Sequence, residues 1–189
     1  KFLLLNFSND VKYFSGMQDL FSPFIKEHDF IKSELLKIVN PYYINKVNSI
    51  RQDFIAIHIR MGDFIYTDNE DKLRSGVWNH RIPLRWYKSI INKIRKETDI
   101  SIYVFSDACD NELKEILDLE NCKRVYFGSA IGDMLALSNA RLLVASASTF
   151  SMWASFLGKT PTIWFPGQMR QRVVNEIKVF EGELDYNEE

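Results

Sequence analysis

A histidine, an arginine and an aspartate follow one another closely at the end of a short apolar stretch. The stretch is Phe54–Ile59 with His58 inside it, and Arg60, Gly62 and Asp63 come directly after it. The planar guanidinium of an arginine matches two phosphate oxygens at once, so this cluster predicts an anion site. A structural ion pair between Arg60 and Asp63 is an equal alternative, because such pairs use the same residue types.

The apolar stretch itself predicts a buried β-strand. Ile55, Ile57 and Ile59 are β-branched and their neighbours are mostly apolar, which is typical of a strand covered by helices on both faces. The run is too short for a helix, and Gly62 permits the sharp turn by which a chain leaves a sheet. Open α/β sheets bind ligands at the carboxyl ends of their strands, which is where His58 and Arg60 lie.

Strands and helices alternate along the rest of the chain. We predict helices at Arg85–Glu97, from an Asp110 cap onward, at Asp133–Ala140 and at Thr149–Leu157, and strands at Ile100–Phe105, Arg124–Phe127, Leu142–Ala145 and Thr162–Phe165. This order predicts an α/β fold: a Rossmann-like parallel sheet with helices on both faces and right-handed crossovers.

The chain divides into three parts on this interpretation. Residues 1–50 form a helical N-terminal packing segment with a helix at Glu27–Val39, and residues 51–180 form the Rossmann-like domain. A further helix is predicted at Val173–Val179, and residues 181–189 form an acidic tail that we expect to be frayed. The polar segment Ile65–Pro83 is longer than an ordinary connection, and long loops at a strand's carboxyl end often carry function.

Composition excludes several classes of protein. The chain has 189 residues, a hydrophobic fraction of 46% and a net charge of −1, so it can build a core and has no general attraction for nucleic acid. No apolar run approaches the roughly 20 residues of a membrane span. Cys109 and Cys122 lack the spacing of a zinc site, and free thiols are expected.

Polar residues follow three of the predicted strands at what must be one edge of the sheet. They are His58 and Arg60, then Ser106 and Asp107, then Ser146, Ser148 and Thr149. The hydroxyls at the start of a helix, together with its unpaired N–H groups, predict a second contribution to an anion site. A plain N-cap at Ser148 or Thr149 explains the same pattern equally well.

Familiar nucleotide motifs are absent. The chain has only eight glycines, and no glycine-rich dinucleotide or P-loop motif follows a strand. A serine nucleophile elbow and a histidine pair at metal spacing are also missing. We therefore expect metal-independent chemistry on a phosphorylated ligand, with Arg60 and the hydroxyl helix holding the phosphates.

Three motifs in register resemble one known family. HIRMGDF, YVFSD and DMLALSNARLLVASASTFSMWASFLG are similar to the motifs of the α-1,2-fucosyltransferases of glycosyltransferase family 11, from about Phe54 to Pro166. The resemblance implies the GDP-fucose-binding, Rossmann-like half of a GT-B enzyme. It implies inverting, metal-independent transfer of fucose to a sugar hydroxyl, with the galactose 2-OH as the expected acceptor group. A GDP-sugar-binding unit without turnover is the alternative.

The resemblance also assigns roles to individual residues. His58 and Asp133 resemble residues that contact guanine, and Arg60 resembles the arginine that holds the diphosphate. Arg60 and Asp63 are the catalytic candidates, Asp63 as general base. The predicted GDP-fucose-binding residues are His58, Arg60, Ser106, Asp107, Asp133, Ser146, Ser148, Thr149 and Phe150. The alternatives are that Asp133 is a helix N-cap and that Phe150 and Trp153 belong to the core.

The sequence also departs from the family pattern. Met61 stands where a second arginine is usual, Ala147 where asparagine is usual and Met152 where tryptophan is usual. An acceptor-side segment on the order of a hundred residues is expected before Lys1, since domains of a GT-B enzyme face each other. The expected partners are a GDP-sugar donor and a glycan acceptor, and no nucleic acid is expected. Peripheral membrane association is compatible with these partners. The expected location is the bacterial cytoplasm, or the Golgi lumen in a eukaryote.

Overall fold

The computed structural model describes residues 19–50 and 53–186. Within them, β1 is Ile55–Ile59, β2 is Ile102–Ser106, β3 is Cys122–Arg124, β4 is Leu142–Val144, β5 is Thr162–Trp164 and β6 is Glu181–Glu183. The helices are α1 His28–Ile38, α2 Pro41–Asn48, α3 Glu70–Arg74, α4 Leu84–Glu97, α5 Lys114–Leu117, α6 Ala130–Ser138 and α7 Thr149–Gly158, with a single 3₁₀ turn at Ile25–Glu27 before α1. No helix of this described part is long and apolar enough to cross a membrane.

The six strands form one parallel sheet with β1 near its centre. The strand order is β3-β2-β1-β4-β5-β6, and all neighbours are parallel. The predicted α/β class with a parallel sheet is therefore confirmed. β2 and β3 lie on one side of β1, and β4, β5 and β6 lie on the other side. The strand order therefore switches direction between β1 and β4, and a ligand crevice forms at such a switch point.

Two buried clusters cover the two faces of the sheet. Ile55, Ile57 and Ile59 pack with α3, α4 and α5 on one face, whereas Phe54 and Ala56 pack with α6 and α7 on the other. Side chains alternate between faces along a strand, which directs His58 toward α7. The apolar residues of β1 thus fix the direction of the polar side chain that ends it.

The strand ends meet as predicted. Ile59 lies opposite Ser106 in the β1–β2 pair, and Ile57 lies opposite Val144 in the β1–β4 pair. The residues that follow these strands therefore share one edge of the sheet.

Two predicted elements in the middle of the chain need correction. Asp110 does not cap a helix, because α5 begins only at Lys114 with Leu113 as its N-cap, and Asp110 instead pairs with Arg124. The third strand ends at Arg124 and not at Phe127. The N–H of Phe127 donates to the Asp133 carboxylate, and this bond draws the chain out of the sheet.

The carboxyl-terminal predictions were wrong for the described residues. No helix forms at Val173–Val179; the N–H groups of Val173 and Val174 donate to the carboxylate of Glu181 at 2.9 and 3.1 Å. The described tail is not frayed, because Glu181–Glu183 forms β6. Trp86 Nε1 donates to the carbonyl of Leu184 at 2.8 Å. Residues 187–189 of the predicted tail and 1–18 of the predicted packing segment lie outside the described residues.

Candidate nucleotide site

His58 is buried at the end of β1 and is held by two serine hydroxyls. Its Nδ1 lies 2.7 Å from Ser151 Oγ and 2.9 Å from Ser146 Oγ. Burial lowers the pKa of His58 to about 4; the Asp107 carboxylate opposes this effect and the Arg60 cation adds to it. The ring is therefore neutral at pH 7. If one of these hydroxyls donates to Nδ1, Nε2 carries the proton and can donate to a ligand.

The hydroxyls at the start of α7 form a connected cluster behind His58. Ser146, Ser148 and Ser151 lie within 3.3 Å of one another through their Oγ atoms. Ser148 is the N-cap of α7 and accepts from the N–H of Ser151. The capping interpretation therefore holds for Ser148, and Thr149 is the first residue of the helix. Direct phosphate binding by these hydroxyls stays a prediction, since in this structure Ser146 and Ser148 are buried.

Arg60 lies between two carboxylates. Its Nη2 is 2.8 Å from Asp63 Oδ1, and its Nη1 is 3.0 Å from Asp107 Oδ2. The Arg60 side chain is 36% exposed, whereas the Asp63 side chain is 70% exposed. The ion pair with Asp63 thus exists, as the structural interpretation of the sequence required. It also holds a partly exposed guanidinium at the strand edge, so it does not exclude an anion site.

Asp107 joins β2 to the turn after β1. Its carboxylate accepts from the N–H groups of Met61 and Gly62 at 2.8 and 2.9 Å. A Cβ at Gly62 would overlap Asp107 Oδ2, so the carboxylate would have to move to admit a larger residue here. Ser106 adds a second link, because its Oγ donates to the carbonyl of Ile59 at 2.6 Å. These bonds fix the backbone that carries Arg60.

Asp133 lies in the first turn of α6 and is half buried. Its Oδ1 accepts from the N–H of Phe127 at 2.7 Å. Burial raises the pKa of Asp133, while the Phe127 hydrogen bond and the charge of Lys46 oppose the rise. The N-cap of α6 is Ser129, whose hydroxyl accepts from the N–H of Gly132, so the N-cap interpretation of Asp133 was wrong.

One cleft of about 310 Å³ collects most of the predicted residues. It is lined by His58, Arg60, Phe105, Ser106, Asp107, Tyr126, Ala130, Asp133 and Phe150. Four predicted residues do not line it: Asp63, which lies on the outer side of Arg60, and Ser146, Ser148 and Thr149. The volume is within the lower range for small-molecule sites.

Aromatic rings form part of this cleft. Phe150 and Trp153 are both partly buried and pack against the core on this face of the sheet. The Phe150 ring also lines the cleft and lies 5.1 Å from the His58 ring, whereas Trp153 packs on Phe21 at 4.8 Å. Tyr126 is 67% exposed at the cleft. Sequence reasoning missed Tyr126, although its position just after β3 follows the same strand-end rule that located Arg60. Such faces can cover a planar ring.

The cleft combines groups suited to a nucleotide. Arg60 offers positive charge, Asp133 offers a carboxylate acceptor and Phe150 and Tyr126 offer ring faces. The guanidinium matches phosphate oxygens, the carboxylate matches the hydrogen-bond donors of a base, and the rings match the flat face of a base. Among residues 19–50 and 53–186, no group of three or more His, Cys, Asp or Glu side chains is arranged to hold a metal ion.

Comparison with known proteins identifies a family match. The family model described as glycosyl transferase family 11 matches residues 2–170. Galactoside alpha-(1,2)-fucosyltransferase 2 of Pongo pygmaeus is 23% identical over 142 residues, which cover 72% of this chain and 39% of that protein. The chain thus spans well under half the length of this curated relative.

Solved structures give weaker matches. The crystal structure of POFUT1 in complex with GDP is 17% identical, with a TM-score of 0.41, over 67% of this chain and 46% of that one. The crystal structure of POFUT1 in complex with GDP-fucose is 17% identical, with a TM-score of 0.38, over 66% of this chain and 44% of that one.

Proposed function

The chain belongs to glycosyl transferase family 11, and we propose that its cleft binds GDP-fucose for the inverting transfer of fucose to a sugar hydroxyl. The observation that carries the proposal is the convergence of Arg60, His58 and Asp133 on a single cleft. The name of the curated relative supports fucose as the sugar and the 2-OH of a galactoside as the acceptor group.

Arg60 is the proposed phosphate ligand. In the transfer, the bond between the anomeric carbon and the phosphate oxygen breaks, and GDP leaves with the electron pair. A preorganised cation at the phosphates stabilises the charge that develops there. Asp63 and Asp107 hold the guanidinium at 2.8 and 3.0 Å before any ligand arrives. In this proposal Arg60 supplies the positive charge, so the transfer requires no metal.

Asp133 is the proposed guanine ligand. Guanine presents its N1–H and 2-amino group as adjacent donors, and one carboxylate can accept both, whereas adenine and uracil lack this donor pair. The Phe127 N–H occupies one side of Oδ1 and orients the carboxylate. His58 is neutral, and its ring packs against the Phe150 ring in the same cleft. These contacts support a guanine pocket over a generic phosphate site.

Asp63 is the proposed general base. The acceptor hydroxyl forms the new bond to the anomeric carbon and loses its proton, which a carboxylate can take. Asp63 is 70% exposed, so an acceptor can reach it.

A second candidate function is GDP-sugar binding without turnover by this chain. It is favoured by the departures from the family pattern at Met61 and Ala147, where an arginine and an asparagine are usual.

The test combines binding and transfer. The chain is incubated with GDP-fucose and lactose, the fucosylated product is detected by mass spectrometry, and GDP-fucose binding is measured by calorimetry. Product formation supports the transferase. Binding without product supports the binding unit, and the absence of both results overturns the proposal.

A further inference from the structure

A second cavity of about 400 Å³ is lined by Met61, the residue after Arg60 in the turn that follows β1, and we call it the Tyr66 pocket. Among the residues that line it are Met61, Tyr66, Asp68, Glu70, Arg81 and Arg85. It is formed by the turn after β1, the long segment that leads to α4, and the start of α4. None of the nucleotide contacts proposed above uses this pocket.

Met61 connects the two cavities. Its backbone N–H donates to Asp107 in the nucleotide cleft at 2.8 Å, while its side chain lines the Tyr66 pocket. Arg60, the proposed diphosphate ligand, is the preceding residue, and consecutive Cα atoms are about 3.8 Å apart. The Tyr66 pocket therefore shares the turn after β1 with the proposed diphosphate ligand.

The pocket has an apolar part and an exposed aromatic ring. Met61 and Leu84 pack against the buried core on this face of the sheet, and Pro83 lies between Leu84 and the loop. The side chain of Tyr66 is 70% exposed, and its hydroxyl donates to Asp68. The ring therefore offers an amphipathic face, with an apolar body and a polar tip, at the pocket.

The polar part of the pocket is preorganised. Arg85 is 64% exposed, and its Nε donates to Glu70 at 2.8 Å. Glu70 also accepts from the hydroxyl of Tyr186 at 2.7 Å. Arg81 Nε donates to the carbonyl of Phe64 at 3.0 Å. A guanidinium has five N–H groups, so both arginines keep donors for a ligand after making these bonds.

The charges of the pocket are mixed. Arg81 and Arg85 lie among three carboxylates, Asp68, Glu70 and Glu115, so the pocket carries charges of both signs and does not favour a strongly charged ligand. A sugar ring matches this environment, because it is neutral, its C–H face is apolar, and each hydroxyl both donates and accepts hydrogen bonds.

We propose that the Tyr66 pocket binds the acceptor sugar, a neutral galactoside. This inference rests on the proposed function for the identity of the acceptor, but the pocket binds the sugar without GDP. The Tyr66 ring covers the C–H face of the sugar, and Arg85 and Asp68 bind its hydroxyls. The long loop between β1 and α4 thereby supplies acceptor contacts from the same chain that binds the donor.

The test is saturation-transfer difference NMR of lactose with the whole chain in the absence of nucleotide. We expect a lactose signal for the wild type and an affinity lower by roughly tenfold in each pocket variant. Tyr66→Ala loses the aromatic face that covers the sugar, and Arg85→Ala loses a hydrogen bond from a charged group. Tyr42→Ala and Arg141→Ala are matched controls, because both side chains are exposed, at 60% and 65%, and neither lines the pocket. Their lactose affinity stays at the wild-type value.

The absence of a lactose signal in the wild type, or an unchanged affinity in both pocket variants, overturns the proposal. Loss of the signal in the control variants as well as in the pocket variants also overturns it. GDP binding, measured separately by calorimetry, distinguishes this failure from a failure of the proposed function. A chain that binds lactose through Tyr66 but does not bind GDP contradicts the GDP-fucose assignment only.

Discussion

The carboxylate of Asp107 accepts a hydrogen bond from the backbone N–H of Gly62 at 2.9 Å and thereby ties β2 to the turn that follows β1. The same carboxylate lies 3.0 Å from Arg60. The position of the proposed phosphate ligand therefore depends on a glycine two residues after it in the chain.

Gly62→Ala tests this dependence. A Cβ at this position overlaps Asp107 Oδ2, so we expect the carboxylate to move and its bonds to Met61 and Gly62 to weaken. Both bonds are exposed to solvent, and a typical intramolecular hydrogen bond contributes about 0.5–1.5 kcal/mol net. We expect a loss of that size in the free energy of unfolding by urea titration, with weaker GDP binding. Gly182→Ala in β6 is the control, and its GDP affinity should not change. Wild-type stability and affinity in Gly62→Ala would show that Asp107 does not hold this turn.

Arg60→Ala tests the phosphate contact. Hydrogen bonds to charged groups contribute about 1.5–3 kcal/mol, so GDP affinity should fall by roughly tenfold to a hundredfold in calorimetry. Arg60→Lys should recover only part of the loss, because a lysine cannot bind two oxygens in the same plane. Arg141→Ala, an exposed arginine paired with Asp53, should bind GDP as the wild type does. If Arg60→Ala also does so, Arg60 only pairs with carboxylates.

His58 predicts a pH dependence of stability. Its pKa is lowered from 6.5 to about 4 by burial, so between these values the unfolded chain binds a proton that the folded chain does not. Stability contributed by the neutral ring is therefore present above pH 6.5 and is lost as the pH falls toward 4. The full difference is about 3 kcal/mol. The free energy of unfolding of His58→Asn should fall less steeply over this window than that of the wild type, and parallel curves would contradict the assignment.

The position of the site could be predicted from the sequence because local patterns determine it. The apolar run that ends at Arg60 indicated a buried strand, and parallel strands must bring their carboxyl ends to one edge. Ser129 also gave a readable capping signal for α6, since serine is a preferred N-cap residue. The interpretation of Asp133 as the N-cap overlooked this serine.

The carboxyl-terminal elements could not be predicted because distant contacts determine them. Glu181–Glu183 lacks the apolar alternation of a strand, yet it pairs with β5. The carboxylate of Glu181 binds the N–H groups of Val173 and Val174, which removes donors that the predicted helix would have used. Similarly, only the fold shows that Ser146 and Ser148 lie behind His58 and not in the cleft.

Asp133→Asn tests base selection. The amide oxygen of asparagine can still accept from the Phe127 N–H, but the side chain no longer accepts both guanine donors. An unpaired donor costs about 1–3 kcal/mol, so the preference for GDP over UDP should fall by roughly tenfold or more. Competition between the two nucleotides measures this preference directly. An unchanged preference would mean that Asp133 only supports the Phe127 backbone.

The most direct test of the proposed GDP-fucose site is a calorimetric titration of the chain with GDP-fucose and, separately, with UDP-galactose. We expect GDP-fucose to bind more tightly by roughly tenfold or more, and both Arg60→Ala and Asp133→Asn to weaken its binding. Equal affinities for the two nucleotide sugars, or no binding of GDP-fucose, would contradict the claim that this cleft is a GDP-fucose site.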